Sequence, residues 1–434
     1  MKWALFIGAV LVAYGLGRSL RRSPRWQLHL WVLAGLLPFI PQPGMGIIFD
    51  REFPGDSHGI EVALLDILAI TLLAATGGVA HRKVPYRALL VAYLLAALLS
   101  VTQAVEPLPA FFYVWKLLRM LLLFVVLVRA AELSNLVAPA VLRGMMLGTL
   151  FQLALVLWQR YGLGMHQVTG SFGHQNSLGV AMNLVVMVPV AVLLGRQVTW
   201  LTIAAPIAGL VTVVLTLSRG ALLFSALGVT LIFLLSLTRG PRLRKLVYAG
   251  LGLAVAAVVL FKAGPRIIER FETAPAESMQ VREQFKEAAS MMLDAHPLGV
   301  GANHFSWTMK NRGYGTRAAI DSYNQTAIVH NLYWLTAAEM GYFGLLSLLA
   351  LLLIPATTAF WHGLVTKGDV RADVLLGMSV GLLMCYVHGT VEWVWRTTEV
   401  SYLFWMLLAL CSCLVRELKD AAAAQLDPAE HTSA

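Results

Sequence analysis

Charged residues are scarce in this chain, and their scarcity determines its class. Asp, Glu, Lys and Arg make up 13% of its 434 residues, whereas soluble globular proteins carry about 25%. Hydrophobic residues make up 58%, and apolar runs of about 20 residues recur along the chain, each long enough to cross a hydrocarbon core of about 30 Å. Because these runs are continuous rather than alternating, the sequence predicts an all-α, polytopic bundle of transmembrane helices and not a membrane β-barrel.

Cysteine and cofactor-binding motifs are also scarce or absent. The three cysteines, Cys385, Cys411 and Cys413, all lie within apolar runs, so they form neither a disulfide framework nor a zinc site. The sequence contains no phosphate-binding P-loop, dinucleotide-binding fingerprint, serine-hydrolase elbow or HExxH motif. No acidic pair near the predicted outer loops suits a divalent metal. We therefore expect no metal, nucleotide or other cofactor.

The net charge of +10 comes largely from short basic loops between the apolar runs. The positive-inside rule places these loops in the cytoplasm, so the charge indicates orientation in the membrane and gives no reason to expect nucleic acid as a partner. The basic loops are 18–25, 81–87, 239–245 and 367–371. The segments predicted on the opposite, outer side are 160–176, 262–329, 391–397 and the turn at Ser218-Arg219.

Thirteen apolar runs are candidate membrane spans, although the first two are short and twelve spans also fit. The run at 329–362 is over-long for one crossing, and the first run reads as a retained helix rather than a removed signal peptide. The runs are 2–18, 27–42, 61–79, 87–105, 109–129, 140–159, 177–195, 199–217, 221–237, 246–262, 329–362, 373–391 and 398–416. They define an N-terminal bundle (1–261), a large outer loop (262–329), C-terminal helices (330–416) and a cytoplasmic, disordered tail (417–434).

The outer loop 262–329 is the polar interruption of the chain. Between Met279 and Met292, the apolar residues fall on one helical stripe, which predicts a short amphipathic helix. The flexible sequence at 297–301 ends that helix. The loop finishes at His330, where a long apolar run begins. A titratable group delivered to the membrane surface is a candidate for catalysis or recognition.

His330 admits two interpretations. It is either a general base or hydrogen-bonding group that acts on a hydroxyl, or an interfacial histidine that anchors a helix end. Asn331, the next residue, is a candidate for substrate binding. Arg219 lies between two apolar runs, beside Gly220, and there it either binds an anionic ligand or extends to the outer headgroups. Both residues are predicted on the outer side of the membrane.

Lys116 and Arg119 lie three residues apart on one face of the run 109–129, which contains no acid. They favour binding of a lipid-linked pyrophosphate; ion pairs with Glu392 or another buried acid, or snorkelling, are the alternatives. Further candidates for pyrophosphate or glycan binding lie in the outer segments. These are His174 and Asn176, for which a helix cap and turn is the alternative, the loop residues Arg266, Arg270 and Arg282, and Glu392 and Arg396 beside Trp393 and Trp395.

Several short motifs, in this order, resemble the O-antigen ligase and polymerase superfamily of bacterial membrane glycosyltransferases. The resemblance covers about residues 165–360. The motifs are Gly173-His174-Gln175-Asn176-Ser177-Leu178, Ser218-Arg219-Gly220-Ala221, Arg282, the run from His296 to Phe305, His330-Asn331-Leu332 and the run from Glu339 to Gly344.

The resemblance implies an inverting, metal-independent transfer of a glycan from undecaprenyl pyrophosphate to an acceptor hydroxyl at the periplasmic face of the inner membrane. It implies that His330, Arg219 and Arg282 are catalytic. We expect a ligase that acts on lipid A–core in lipopolysaccharide biosynthesis. A polymerase with a second lipid-linked glycan as acceptor, a protein O-glycosyltransferase and an anion or solute transporter stay as alternatives. The expected partners are the glycan donor, the acceptor and membrane lipids, with no nucleic acid.

Overall fold

The computed structural model describes residues 2–42, 44–77, 82–195, 197–240, 242–272 and 276–426. Within these ranges the chain is mostly helical, as predicted, with almost no strand. The helices are α1 (Lys2–Leu20), α2 (Pro24–Leu36), α3 (Leu64–Thr76), α4 (Arg87–Val101), α5 (Pro107–Leu133), α6 (Val137–Leu157), α7 (Gln175–Leu194), α8 (Trp200–Thr216), α9 (Arg219–Thr238), α10 (Leu243–Glu272), α11 (Ala276–Ala295), α12 (Phe305–Asn311), α13 (Tyr314–Arg317), α14 (Leu332–Val365), α15 (Val370–His388) and α16 (Thr398–Leu426).

Every candidate span corresponds to a helix. Among the described residues, eight helices are long and apolar enough to cross a membrane: α1, α5, α6, α7, α9, α14, α15 and α16. Helices α3, α4 and α8 are apolar but shorter, and α2 and α10 occupy the two remaining runs. The all-α, polytopic prediction is therefore confirmed.

Helices α7 and α16 form the centre of the bundle. About nine-tenths of the most apolar window of each helix is buried inside the protein, and α7 packs against α8, α9 and α15. Helix α1 is the opposite case, because 11% of its window is buried. Its apolar surface suits contact with lipid, since lipid tails are as apolar as a protein core.

One end of the bundle collects the polar elements. Strands β1 (Gly44–Phe49) and β2 (Gly59–Ala63) pair antiparallel as a hairpin, which the sequence analysis did not predict. The loop between the strands contacts the outer segment, because the side-chain oxygen of Asn303 accepts hydrogen bonds from the backbone N–H groups of Asp56 and Ser57 at 2.8 and 3.0 Å. The hairpin and the segment after α11 thus form one polar face.

The basic loops meet at the other end. Arg239 at the end of α9 pairs with Asp373 of α15, and Arg82 pairs with Asp420 of α16 at 2.6 Å. These contacts bring basic loops that are distant in sequence to one end of the bundle. The positive-inside rule predicts that such loops lie on the same side of the membrane.

The outer segment contains more helix than the sequence indicated. Helix α10 continues to Glu272, so the predicted boundary at 262 lies inside a helix. The amphipathic helix predicted between Met279 and Met292 is part of α11, and its apolar stripe, including Phe285, is buried. Helix α16 likewise continues to Leu426, into the tail that we expected to be disordered, because the Ala-rich sequence at 421–424 favours helix. The rest of the tail, 427–434, lies outside the described residues.

The long helix α14 is kinked rather than straight. Gly341 has φ 65° and ψ −168°, a backbone conformation that residues with a side chain rarely adopt. A Cβ atom there would lie 2.2 Å from the carbonyl oxygen of Pro297. The kink lets the turn after α11 pack directly against α14 and so fixes the outer segment to the bundle.

Candidate active site

The carboxylate of Glu392 is the centre of the candidate site. Its Oε2 atom lies 3.2 Å from Nδ1 of His330. Its Oε1 atom accepts hydrogen bonds from Arg282 at 3.1 Å and from the side-chain amide of Asn176 at 2.7 Å. The Glu392 side chain is 5% exposed, whereas that of His330 is 34% exposed. A buried carboxylate therefore holds a solvent-accessible imidazole and a guanidinium beside each other.

Asn176 extends this network to the turn before α9. Its Oδ1 atom accepts a hydrogen bond of 2.8 Å from the hydroxyl of Ser218. The same hydroxyl accepts a longer bond from the backbone N–H of Ala221 and so caps α9. Arg219 is the first residue of α9 and is half-buried. The structure thus brings the turn at Ser218-Arg219 to the segment that carries Asn176 and Glu392.

His330 owes its position to the start of α14. Asn331 caps this helix, since its Oδ1 atom accepts hydrogen bonds of 3.0 Å from the backbone N–H groups of Tyr333 and Trp334. Its amide nitrogen donates to the carbonyl of Thr390 at 2.7 Å. This second bond ties the beginning of α14 to the loop that carries Glu392. Asn331, predicted to bind substrate, is occupied with backbone groups and positions its neighbour His330.

The charges around Glu392 determine its protonation state. Burial by itself raises the pKa of Glu392, but the hydrogen bond and charge of His330 and the charge of Arg282 outweigh it, so the pKa lies below its ordinary value. The carboxylate is therefore ionised at neutral pH and stabilises positive charge on the imidazole.

His174 contributes as a helix cap. Its Nδ1 atom accepts a hydrogen bond of 3.2 Å from the backbone N–H of Asn176 at the start of α7. Desolvation lowers the pKa of His174, and the charge of His330 acts in the same direction, while Glu392 opposes both. The neutral form is the one that can accept this bond, so the cap and the pKa direction agree. The capping interpretation of the sequence therefore applies to His174, whereas Asn176 belongs to the Glu392 network.

A third histidine, His388, lies next to the site and was missed by the sequence analysis. His388, at the end of α15, is buried, and its ring centre lies 4.9 Å from that of Phe224. A Cβ atom on Gly220 would lie 2.6 Å from its Nε2 atom. Gly220 therefore permits the first turn of α9, which begins with Arg219, to approach the end of α15.

Lys116 and Arg119 form ion pairs with acids. This is one of the alternatives that the sequence analysis left open. Lys116 lies 3.1 Å from Asp56 in the hairpin loop, and Arg119 lies 2.7 Å from Asp66 of α3. Glu392, the acid named as their candidate partner, is not the one they contact. The sequence could not identify the acids, because both belong to other elements of the fold.

Arg396 joins Lys116 in a buried ionic network. Its guanidinium contacts Asp56 at 2.8 Å and Glu339 of α14 at 2.7 Å, and its side chain is 1% exposed. It also lies 4.1 Å above the ring of Tyr113. The pKa of Arg396 is raised because the two carboxylates outweigh its burial. The buried Arg396 therefore connects the hairpin, α14 and the 391–397 loop. The sequence analysis expected it to bind a ligand, but its guanidinium is enclosed in this network.

Two further predicted residues fall where side chains are not described. Arg266 and Arg270 lie in α10, and their side chains are outside the described part of the chain.

Of the twelve predicted site residues, four form one hydrogen-bonded network: His330, Arg282, Asn176 and Glu392. Asn331 and His174 support its helix ends, and Arg219 lies beside it. Lys116, Arg119 and Arg396 belong to ion pairs elsewhere. Ser218 and Glu339 lay in the motifs of the resemblance but were not predicted as site residues, and His388, Asp56 and Asp66 were missed.

These observations define a multi-pass helical membrane protein with a polar site at one end, built around a histidine, a glutamate and an arginine, with the start of α9 at Arg219 next to the network. Residues 204–349 match the family model described as O-antigen ligase. The match confirms the resemblance to the O-antigen ligase superfamily over about a third of the chain, and it includes Arg219, Arg282 and His330. Glu392 and Asn176 lie outside the match, and the fold brings them to it. No curated protein sequence matches the chain.

The family match carries a general functional meaning. It supports a function of the O-antigen ligase or polymerase type, with a lipid-linked glycan as donor and a glycan as acceptor. Together with the apolar helices it indicates a multi-pass bacterial membrane protein.

Proposed function

We propose that this protein is an inverting glycosyltransferase of the O-antigen ligase type, which transfers a glycan from undecaprenyl pyrophosphate to a hydroxyl of lipid A–core. The reaction takes place at the periplasmic face of the inner membrane, and the polar end of the bundle faces the periplasm. The observation that carries this proposal is the contact between His330 and Glu392, beside two arginines on separate elements.

His330 acts as the general base. When the N–H group at Nδ1 donates a hydrogen bond to Glu392, the neutral imidazole carries no proton on Nε2, and Nε2 can accept the proton of the acceptor hydroxyl. The ionised Glu392 then stabilises the imidazolium that forms. A positioned base of this kind accelerates a reaction by roughly 10²–10⁴-fold.

Arg219 and Arg282 bind the donor. The leaving group is a pyrophosphate whose negative charge grows as the bond to the sugar breaks, and guanidinium groups bind phosphate oxygens in a bidentate fork. Arg282 contacts Glu392 at 3.1 Å with its side chain 28% exposed. It is therefore accessible enough to exchange one carboxylate contact for a phosphate oxygen when the donor binds.

The reaction balances without a cofactor. The acceptor oxygen forms a bond to the anomeric carbon from the side opposite the pyrophosphate, and the bond from that carbon to the pyrophosphate oxygen breaks. The hydroxyl proton moves to His330, and undecaprenyl pyrophosphate leaves. Attack from the opposite face inverts the anomeric centre. Asn176 and Glu392 orient these groups, whereas the buried pairs of Lys116, Arg119 and Arg396 hold the helices that carry them.

Transfer by the purified full-length protein tests the proposal. It is incubated with an undecaprenyl-pyrophosphate-linked glycan and lipid A–core, and glycosylated lipid A–core is quantified. His330→Ala and Arg219→Ala should each lower transfer by roughly 100-fold or more. The exposed residues His166 and Arg312 supply matched controls, and His166→Ala and Arg312→Ala should leave transfer within about threefold of wild type.

Two outcomes would overturn the proposal. Transfer at the wild-type rate by His330→Ala and Arg219→Ala would remove the catalytic assignment. Extension of one lipid-linked glycan by another, without transfer to lipid A–core, would replace the ligase by a polymerase that uses the same residues.

A further inference from the structure

The end of the bundle opposite the candidate active site contains a cavity of about 80 Å³. Its lining comes from the ends of α7 and α9, the beginning of α10, the loop before α15 and the first turns of α15. Four basic side chains line it: Arg239, Arg242, Lys245 and Lys367. The volume exceeds the roughly 10–15 Å³ that one water molecule requires, so a tetrahedral oxyanion fits by size.

The charges of this cavity are not balanced by the described part of its lining. The acid there is Asp373, and it forms an ion pair with Arg239. The neighbouring acid Asp369 is bound to Arg371 at 2.6 Å. Arg242, Lys245 and Lys367 therefore converge on a space whose described lining offers one carboxylate, Asp373, which is already paired with Arg239. The ammonium of Lys245 also donates to the backbone carbonyls of Ser236 and Gly240, which carry no net charge. Cations that converge in this way cost free energy unless an anion joins them.

Arg239 supplies an independent observation that points to a ligand. One terminal nitrogen of its guanidinium pairs with Asp373, and the other donates to the carbonyl of Thr366 at 2.7 Å. The Arg239 side chain is 7% exposed. Its Nε atom is buried and has no hydrogen-bond partner among the described residues. A buried donor without an acceptor is destabilising, so an acceptor from outside the chain would complete the site.

The cavity also has an apolar side. Ala191, Leu194, Ile232 and Leu376 line it together with the basic groups. A site with cations towards the membrane surface and aliphatic side chains towards its interior suits a phosphate that is attached to acyl chains. Basic pockets between helices on the cytoplasmic side of a membrane bind lipid phosphates in this way.

We propose that this cavity is a binding site for a phosphate group, supplied by the headgroup of an anionic phospholipid. Arg239, Arg242, Lys245 and Lys367 hold its oxygens, and Nε of Arg239 donates one of the bonds. The site lies at the end that carries the basic loops, away from His330. Binding there anchors α9 and α15, the two helices whose other ends carry Arg219 and His388.

Lipid binding by the purified full-length protein tests this site. Native mass spectrometry is used to titrate phosphatidylglycerol and, separately, phosphatidylcholine, whose headgroup carries no net charge. Wild-type protein should bind phosphatidylglycerol more tightly than phosphatidylcholine. Arg242→Ala/Lys367→Ala should lower the affinity for phosphatidylglycerol roughly tenfold or more. Both substituted side chains are exposed, so the fold should tolerate their loss.

A double variant with the same change of charge is the control. Lys83 and Arg87 are exposed cations in another basic loop and do not line the cavity. Lys83→Ala/Arg87→Ala should keep the wild-type affinity within about threefold. Equal losses in the two double variants would mean diffuse attraction to the charged end and would overturn the proposal, as would the absence of any loss in the cavity variant.

Inorganic phosphate distinguishes a lipid headgroup from a free anion. Competition between inorganic phosphate and phosphatidylglycerol in wild type, lost in the cavity variant, supports a phosphate site that a lipid fills. Saturable binding of inorganic phosphate without preference for phosphatidylglycerol would retain the phosphate chemistry and reject the lipid. Thermal unfolding supplies a second measurement, because phosphatidylglycerol should raise the Tm of wild type more than that of Arg242→Ala/Lys367→Ala.

Discussion

Nδ1 of His330 lies 3.2 Å from Oε2 of Glu392, and the other oxygen of this carboxylate contacts Arg282 and Asn176. The three partners are 62, 110 and 216 residues away from Glu392 along the chain. One buried carboxylate therefore determines the relative positions of the start of α7, helix α11 and the start of α14. Substitution of Glu392 can distinguish a role in orienting His330 from a purely structural role.

Glu392→Gln should lower the rate of glycan transfer by roughly 10–100-fold, the usual cost of removing a group that orients a functional histidine. Glutamine has nearly the same shape but no charge, so it neither stabilises the imidazolium of His330 nor balances Arg282. The loss should appear in kcat rather than in KM for the lipid-linked glycan, because the donor still meets both arginines. Steady-state kinetics with purified protein measures both constants.

Glu283 provides the matched control for this substitution. It lies next to Arg282 on α11, is exposed, and pairs with Lys286 at 2.7 Å. Glu283→Gln should leave kcat close to wild type, because exposed ion pairs contribute little. A wild-type kcat in Glu392→Gln, or equal losses in both variants, would contradict the orienting role of Glu392.

The pKa of Glu392 predicts an acid-dependent contribution to stability. The pKa is lowered in the folded protein, where the charges of His330 and Arg282 outweigh burial. A carboxyl with a lowered folded pKa binds fewer protons than in the unfolded chain, so its contribution is complete above the ordinary value of 4.5. The contribution is then lost as the pH falls through the folded pKa. The Tm difference between wild type and Glu392→Gln should thus be largest near neutral pH and shrink below about pH 4.5.

Thermal unfolding of both proteins between pH 7 and pH 3 measures this difference. Glu283→Gln again serves as the control and should run parallel to wild type across the range. A Tm difference that stays constant, or that increases as the pH falls, would show that the ionised form of Glu392 does not stabilise the folded protein.

The sequence could predict the helices and part of the site, because those signals are local. Hydropathy located all thirteen helical runs, and the apolar stripe around Phe285 located the packed face of α11. The apolar run that follows His330 placed this residue at the start of a helix, where Asn331 is the cap in the structure. None of these predictions required knowledge of which helices are neighbours.

The ion pairs could not be predicted, since they depend on packing between distant elements. Asp56 and Asp66 are 60 and 53 residues away from the cations that they pair with. Asp56 lies in a hairpin loop whose position depends on Asn303, which is 247 residues further along the chain. Lys116 and Arg119 appeared free in sequence for this reason. Their spacing on one face of α5 was correct, but the two side chains bind different acids.

Arg396 should be essential to the stability of the polar end. Its removal leaves Asp56 and Glu339 as buried carboxylates with reduced compensation, and breaking a buried ion pair costs about 3–5 kcal/mol. Arg396→Met keeps most of the apolar volume and should therefore cause a large fall in the free energy of unfolding. Arg396→Lys retains the charge but not the fork that reaches both acids, so its effect should be smaller. Unfolding in detergent, followed by tryptophan fluorescence, measures these changes.

Arg312 is the corresponding exposed arginine at the same end of the bundle. Arg312→Met should change the free energy of unfolding by less than about 0.5 kcal/mol. If Arg396→Met were no more destabilising than Arg312→Met, the network around Asp56 would not hold the hairpin to α14.

Gly220 and His388 should show strong coupling in a double-mutant cycle. A Cβ atom at residue 220 would lie 2.6 Å from Nε2 of His388, whose ring is buried against Phe224. Gly220→Ala therefore forces the first turn of α9 away from α15 and displaces Arg219. A shift of about 1 Å at a catalytic group can reduce the rate by roughly 100-fold. In the background of His388→Ala the clash is absent, so adding Gly220→Ala should cost much less. Transfer assays on the four proteins give the coupling energy.

Gly250, where a Cβ atom meets nothing within 4 Å, supplies the control substitution Gly250→Ala. Additive effects of Gly220→Ala and His388→Ala would mean that the contact between these two residues does not position Arg219.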